Sequence, residues 1–162
     1  MTSRSSAILL CSAIGLCCIG SAARAEVLAH YECSIIGPAV PEPIGDRPGH
    51  TLATVQFSCF AVDGAIKGAV YTAVNVAEWD GTKGTYQFAG GVHRIAGGFA
   101  VTQLSEGHAT VVIRDGQPVG TEGTGKAVIK YAAGTLAQLD GKALAFVTKT
   151  TGLGRFNLDF TD

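Results

Sequence analysis

The sequence pattern that decides the fold is Arg155-Phe156-Asn157-Leu158-Asp159-Phe160, close to the C-terminus. Large apolar residues alternate with polar ones, so the apolar side chains project to one face of an extended chain. The stretches 126–133 and 143–148 repeat this alternation. Three successive amphipathic strands predict an antiparallel meander with one face on a core and the other in solvent.

Upstream, the stretches 51–62 and 66–76 are apolar on nearly both faces, and Asp63-Gly64 between them predicts a tight hairpin turn. Asp115-Gly116 and Asp140-Gly141 predict two further turns of this kind. The first strand is predicted over 27–36. The proline-rich segment 37–50 then forms the one long loop, because proline lacks the amide donor that a sheet interior needs.

The sequence therefore predicts an all-β fold, an antiparallel meander of about eight or nine strands closed as a β-barrel. A β-sandwich is the alternative. Glycines within or beside strands favour the barrel because they relieve crowding where a sheet bends sharply. They are Gly68, Gly90, Gly91, Gly97 and Gly98.

Residues 1–25 are predicted to be a secretory signal peptide. Arg4 precedes an apolar run of about thirteen residues, shorter than a membrane-spanning helix needs, and Ala23-Arg24-Ala25 fits a cleavage site. Cys11, Cys17 and Cys18 raise the alternative of a lipoprotein anchor, but their preceding residues do not fit one. We expect export to the periplasm or the medium, with residues 26–162 forming a single domain and no membrane span.

The composition of the domain argues against several classes of partner. From Glu26 onward the chain keeps ten of its twelve basic residues against thirteen acidic ones, so we expect no nucleic acid partner. Its only cysteines, Cys33 and Cys59, predict a disulfide in an oxidising compartment, with two buried thiols as the alternative. Their spacing gives no reason to expect a metal.

The stretch Gly120-Thr121-Glu122-Gly123-Thr124-Gly125-Lys126 has the glycine and lysine spacing of a phosphate-binding loop. Ala127 nevertheless stands where a hydroxyl would hold magnesium, and a strand pattern follows instead of a helix. We therefore predict no nucleotide and no other cofactor.

No catalytic constellation stands out, and we assign no catalytic residue. Candidates for a ligand site or pocket are Trp79, Tyr86, His93, Arg94 and His108. Trp79, at a predicted strand end, is interpreted first as a plug of the core and second as part of a ligand site. The histidines are expected at solvated strand ends. The aromatic residues expected in the core are Tyr71, Tyr86, Tyr131, Phe57, Phe88 and Phe146.

The segment 86–99, with Gly90-Gly91, Arg94-Ile95 and Gly97-Gly98, resembles a motif of the allene oxide cyclase and dirigent-like barrels and of small exported bacterial proteins. Val92-His93 departs from the threonine and glycine usual there. The resemblance implies an eight-stranded barrel.

Two functions follow as hypotheses. The first is non-enzymatic binding of a small apolar ligand or a protein partner. The second, resting on the resemblance, is a small cyclase or isomerase that acts on a hydrophobic substrate inside the barrel.

Overall fold

The computed structural model describes residues 26–162, which form nine β-strands and one short 3-10 helix. The predicted signal peptide lies outside the described residues. The strands are β1 (Val27–Ile35), β2 (Pro41–Pro43), β3 (His50–Asp63), β4 (Val70–Asp80), β5 (Lys83–Ile95), β6 (Gly98–Arg114), β7 (Gln117–Gly134), β8 (Ala143–Gly152) and β9 (Arg155–Thr161). The 3-10 helix, Ala137–Leu139, lies between β7 and β8.

The strands form a closed antiparallel barrel. The order around the sheet is β1-β9-β8-β7-β6-β5-β4-β3, and β1 pairs with β3 to close the circle. β2 is a ninth, additional strand that pairs with the first residues of β3. The prediction of a meander closed as a barrel is confirmed, and the β-sandwich alternative is not adopted.

The seam between β1 and β3 carries the predicted disulfide. Cys33 and Cys59 lie directly opposite each other in the register of these two strands, and their sulfur atoms are bonded. Both side chains are buried. The cross-link therefore joins the two strands whose pairing closes the barrel.

The three predicted Asp-Gly turns have different outcomes. Asp115-Gly116 is a two-residue hairpin turn with positive φ at both positions, 50° and 75°. Asp63-Gly64 does not form one, because residues 64–69 make a longer loop that lets Ile66 turn into the core. Asp140-Gly141 belongs to the longer connection that contains the 3-10 helix.

Two aromatic residues predicted in the core lie on the surface instead. Tyr131 is 68% exposed and Phe88 is 49% exposed. Each follows an irregularity in strand register, where one extra residue lies opposite no partner on the neighbouring strand. Such a bulge reverses the alternation of faces beyond it, so counting by twos places both side chains on the wrong face.

The two ends of the barrel differ. At the closed end, which holds the connections 64–69, 96–97 and 135–142, buried Ile66, Leu136 and Leu139 cover the interior. The open end holds the proline-rich connection 36–49 and the turns 81–82, 115–116 and 153–154. The core cluster occupies the closed half, and the candidate site lies in the open half.

Candidate functional site

A cavity of about 410 Å³ occupies the open half of the barrel interior. Inward-facing residues of β3, β4, β5, β6, β7, β8 and β9 line it. Many are small, including Ala53 and Ala77, so side chains projecting from opposite walls do not meet across the axis. An eight-stranded barrel is just wide enough either to be filled by side chains or to hold one small ligand.

The cavity is largely apolar, with a few polar groups. Arg155, at the open end, is the only charged residue among those that line it. Asn75, on the wall formed by β4, makes no side-chain hydrogen bond with the described residues. An apolar wall with a small number of fixed polar groups is typical of sites that bind small molecules.

Tyr86 and Phe146 form part of the wall where the neighbouring strands carry glycine. Their ring centroids are 6.1 Å apart. A Cβ atom added at Gly107 would lie 2.9 Å from the Tyr86 ring and 3.0 Å from the Phe146 ring. Burial raises the pKa of Tyr86, while a hydrogen bond with Thr148 opposes the rise. Glycine at this position thus makes room for two aromatic side chains against the wall.

Trp79 lies in the cavity wall near the open end of the barrel. This position corrects its interpretation as a plug of the core. A Cβ atom at Gly84, its register partner on β5, would lie only 2.9 Å from the indole ring. The ring therefore lies against the bare backbone of Gly84. This packing leaves the centre of the barrel unfilled.

Below the cavity, His93 is buried completely, which corrects the prediction of a solvated strand end. Its Nδ1 lies 2.7 Å from the Tyr31 hydroxyl, and its Nε2 hydrogen-bonds with the Thr102 hydroxyl. Its ring stacks on Tyr71 with centroids 4.1 Å apart and planes 12° apart. Burial lowers the pKa of His93 to about 3.

This environment suits a neutral imidazole. A neutral ring has one donor and one acceptor nitrogen, and a hydroxyl group can serve either. Desolvation disfavours the charged form of a buried group, and among residues 26–162 no carboxylate contacts the ring to offset that cost. Burial likewise raises the pKa of Tyr31 and of Tyr71. The cavity floor, formed in part by Tyr71 and Thr102, is therefore uncharged.

The five predicted site residues are only partly brought together. Trp79 and Tyr86 line the cavity, and His93 lies beneath its floor. Arg94 is on the outer surface, 3.3 Å from the Thr72 hydroxyl, and His108 is exposed beside Thr85. Alternation along a strand assigns faces, but it does not show which end of the barrel is hollow.

Sequence reasoning missed a polar cluster at the open end, centred on His50. His50 Nδ1 lies 2.5 Å from Asp46 Oδ1, and its Nε2 lies 2.7 Å from Glu78 Oε1. Gln87 donates a hydrogen bond to the second oxygen of Glu78. The spacing of Asp46 and His50 is visible in the sequence, but Glu78 belongs to a different strand and joins them only through register.

Within residues 26–162, no group of three or more histidine, cysteine and acidic residues has the arrangement of a metal site. The glycine-rich stretch 120–126 lies inside β7, which begins before the predicted strand 126–133 and continues beyond the stretch in place of a helix. No helix in the described part of the chain has the length and apolar character needed to span a membrane.

The glycine motif behind the family resemblance spans two neighbouring strands. Gly90 and Gly91 lie within β5, Gly97 is in the turn with a φ of 75°, and Gly98 opens β6. Comparison with known proteins finds no matching family model, no matching curated protein and no matching solved structure. The resemblance to the allene oxide cyclase and dirigent-like barrels stays a prediction.

Proposed function

We propose that this protein is a binding protein that holds a small, largely apolar molecule inside its barrel. The observation that carries the proposal is the cavity of about 410 Å³ in the open half. This volume lies within the range of roughly 300–1,000 Å³ that is usual for small-molecule sites. Burial of apolar ligand surface against such walls supplies the driving force.

The polar groups define which molecule fits. Asn75 offers both a donor and an acceptor within the cavity, and Arg155 offers a positive charge at its edge. A wholly apolar ligand would leave the Asn75 amide without a hydrogen-bond partner, at a cost in free energy. The preferred ligand therefore has an apolar body and one polar group that can hydrogen-bond with Asn75.

We place this function outside the cytoplasm. The disulfide between Cys33 and Cys59 supports an oxidising compartment, in which such bonds form and persist. The signal-peptide pattern of residues 1–25 supports the same location, in the periplasm or the medium.

The test uses the neutral apolar fluorophore N-phenyl-1-naphthylamine. Trp79, the only tryptophan, lines the cavity, so energy transfer from its indole to a bound probe reports binding at this site. We expect saturable transfer with the stoichiometry of one site. Ala53→Phe, which adds a ring to the cavity wall, is expected to weaken binding at least about tenfold through steric exclusion.

The matched control is Ala145→Phe, because Ala145 is on β8 and its side chain is exposed on the outer surface. This variant should bind the probe as the unsubstituted protein does. The proposal fails if the probe does not bind, or if both phenylalanine variants bind it unchanged.

A further inference from the structure

The connection between β1 and β3 forms one wall of the cavity mouth. We call residues 37–49 the strap. It contains β2, and its Ala39 and Pro41 line the cavity together with Gly152, the last residue of β8, and Gly154 of the β8–β9 turn. Movement of the strap away from the barrel would widen the mouth.

The later part of the strap is tied to β4 through His50. This ring is 8% exposed and lies between the carboxylates of Asp46, in the strap, and Glu78, in β4. Both ring nitrogens face a carboxylate oxygen, so both must carry a proton to donate hydrogen bonds. The observed geometry is therefore that of a charged imidazolium.

Two other charged groups belong to the same cluster. Arg47 donates hydrogen bonds to Asp46, at 2.8 Å, and to Asp80 of β4, at 2.9 Å. The charged groups around His50 are thus Asp46 and Arg47 from the strap and Glu78 and Asp80 from β4. Arg47 stays charged at all accessible pH values, so His50 is the member whose charge changes near neutrality.

We infer that His50 is a pH-sensitive latch that holds the strap against β4 at the rim of the cavity mouth, where Gly49 hydrogen-bonds with the cavity-lining Gly81, and so controls how fast a ligand enters and leaves. The inference rests on the proposed binding function. A neutral imidazole can donate to only one of the two carboxylates, so loss of a proton breaks either its hydrogen bond with Asp46 or that with Glu78 and interrupts the bridge between the strap and β4.

The direction of the effect follows from the environment. The hydrogen bond with Asp46, and then that with Glu78, raises the pKa of His50, while burial and the nearby Arg47 oppose the rise. A raised folded-state pKa means that the latch is complete below the ordinary histidine value and weakens as pH rises through the raised value. Acid conditions fix the strap against β4, and mildly alkaline conditions loosen it.

The test measures release of N-phenyl-1-naphthylamine from the Trp79-lined cavity by stopped-flow fluorescence across the range in which histidine titrates. We expect release to accelerate by roughly threefold to tenfold as pH rises, the effect of losing one partly exposed charge-assisted hydrogen bond. His50→Gln should release the probe quickly at every pH. Glu78→Gln should shift the midpoint of the transition to lower pH.

The matched control is His30→Gln. His30 pairs with Asp159 on the outer surface near the closed end, so its removal should leave the pH profile unchanged. If the unsubstituted protein binds the probe but releases it at one rate at all pH values, the latch is wrong and the binding function stands.

If the probe does not bind at any pH, the binding function fails and the latch is judged separately by NMR. The strap amide resonances should then titrate with the midpoint of the His50 ring protons. Strap resonances that do not shift as His50 titrates would contradict the latch.

Discussion

The closed and open halves of the barrel are built from the same strands, yet one is solid and the other hollow. In the closed half, Tyr31, Tyr71, His93 and Phe160 project from four different strands and pack together, with ring centroids between 4.1 and 6.3 Å apart. In the open half, the corresponding positions carry mainly small residues. The stability of the domain is thus concentrated at one end, which leaves the other end available for a ligand.

The histidines of the two halves also respond to pH in opposite directions. His93 is held neutral by burial, and protonation would place an unpaired charge in the closed half. His50 is held in its charged form by two carboxylates at the open end. Acid therefore weakens the closed half while it tightens the strap over the cavity.

The largest effect expected to distinguish the two halves is the loss of stability in acid that protonation of His93 causes. Its pKa is about 3 in the folded protein, against 6.5 as the ordinary value, so the unfolded chain binds the proton more readily between these limits. The free energy of unfolding should fall by roughly 1.4 kcal/mol for each pH unit lost from this one group. Urea unfolding at a series of pH values, followed by circular dichroism, measures it.

Acid also protonates carboxylates and removes their stabilising interactions. The contribution of His93 is therefore measured as the difference in pH dependence between the unsubstituted protein and a variant that lacks this histidine. His93→Gln should remove the contribution of His93 and flatten the dependence between pH 6.5 and 4. His30→Gln, which removes a half-buried hydrogen bond with Asp159, should keep it. Parallel profiles for His93→Gln and the unsubstituted protein would contradict a neutral His93.

The next effect compares truncation of one aromatic residue from each half. Tyr31→Ala should lower the free energy of unfolding by about 3–5 kcal/mol, because it opens a void in a fully buried layer. Trp79→Ala should cost less than about 2 kcal/mol, because the indole already borders open space. Urea unfolding measured by circular dichroism avoids dependence on the tryptophan signal.

Tyr31→Phe keeps the ring and removes only the hydrogen bond with His93, so it separates packing from polar contact. It should cost about 1–2 kcal/mol. Equal losses for Tyr31→Ala and Trp79→Ala would contradict the division into a solid half and a hollow half.

An effect smaller than that of Tyr31→Ala concerns the glycine beside Tyr86. Gly107→Ala places a methyl group against the Tyr86 and Phe146 rings, so it should destabilise the fold by about 1–3 kcal/mol and push a ring toward the cavity. Gly152→Ala, with no atom within 4 Å of the added carbon, should leave stability nearly unchanged. Thermal unfolding measures stability, and probe titration should show weaker binding for Gly107→Ala.

Much of the fold was predictable because it depends on short-range patterns. The alternation in β9 places Phe156, Leu158 and Phe160 on the inner face. The Asp115-Gly116 turn needed only residues that accept positive φ. The positions of Tyr131 and Phe88 were not predictable in this way, because each depends on a bulge that appears only when two strands are paired.

The candidate site was predicted less completely than the fold. Trp79 and Tyr86 were named as pocket candidates, although the first interpretation placed both in the core, and Asn75 and the His50 cluster were not named. His93 was named as a candidate site residue but was expected in solvent, whereas it is buried. Nothing in its local sequence distinguishes a position in solvent from one beneath a cavity. Burial of His93 depends on Tyr31, Tyr71 and Thr102, which belong to three other strands.

By itself, the sequence determined that the domain is an antiparallel β meander with a cross-link between Cys33 and Cys59. Side-chain alternation, turn chemistry and cysteine count act within or between neighbouring segments. Only the tertiary structure decided which half of the barrel is hollow, which histidine is neutral and which is charged. Those properties depend on distances across the barrel. These distances are fixed when β1 pairs with β3, because closure of the barrel fixes the register of the strands.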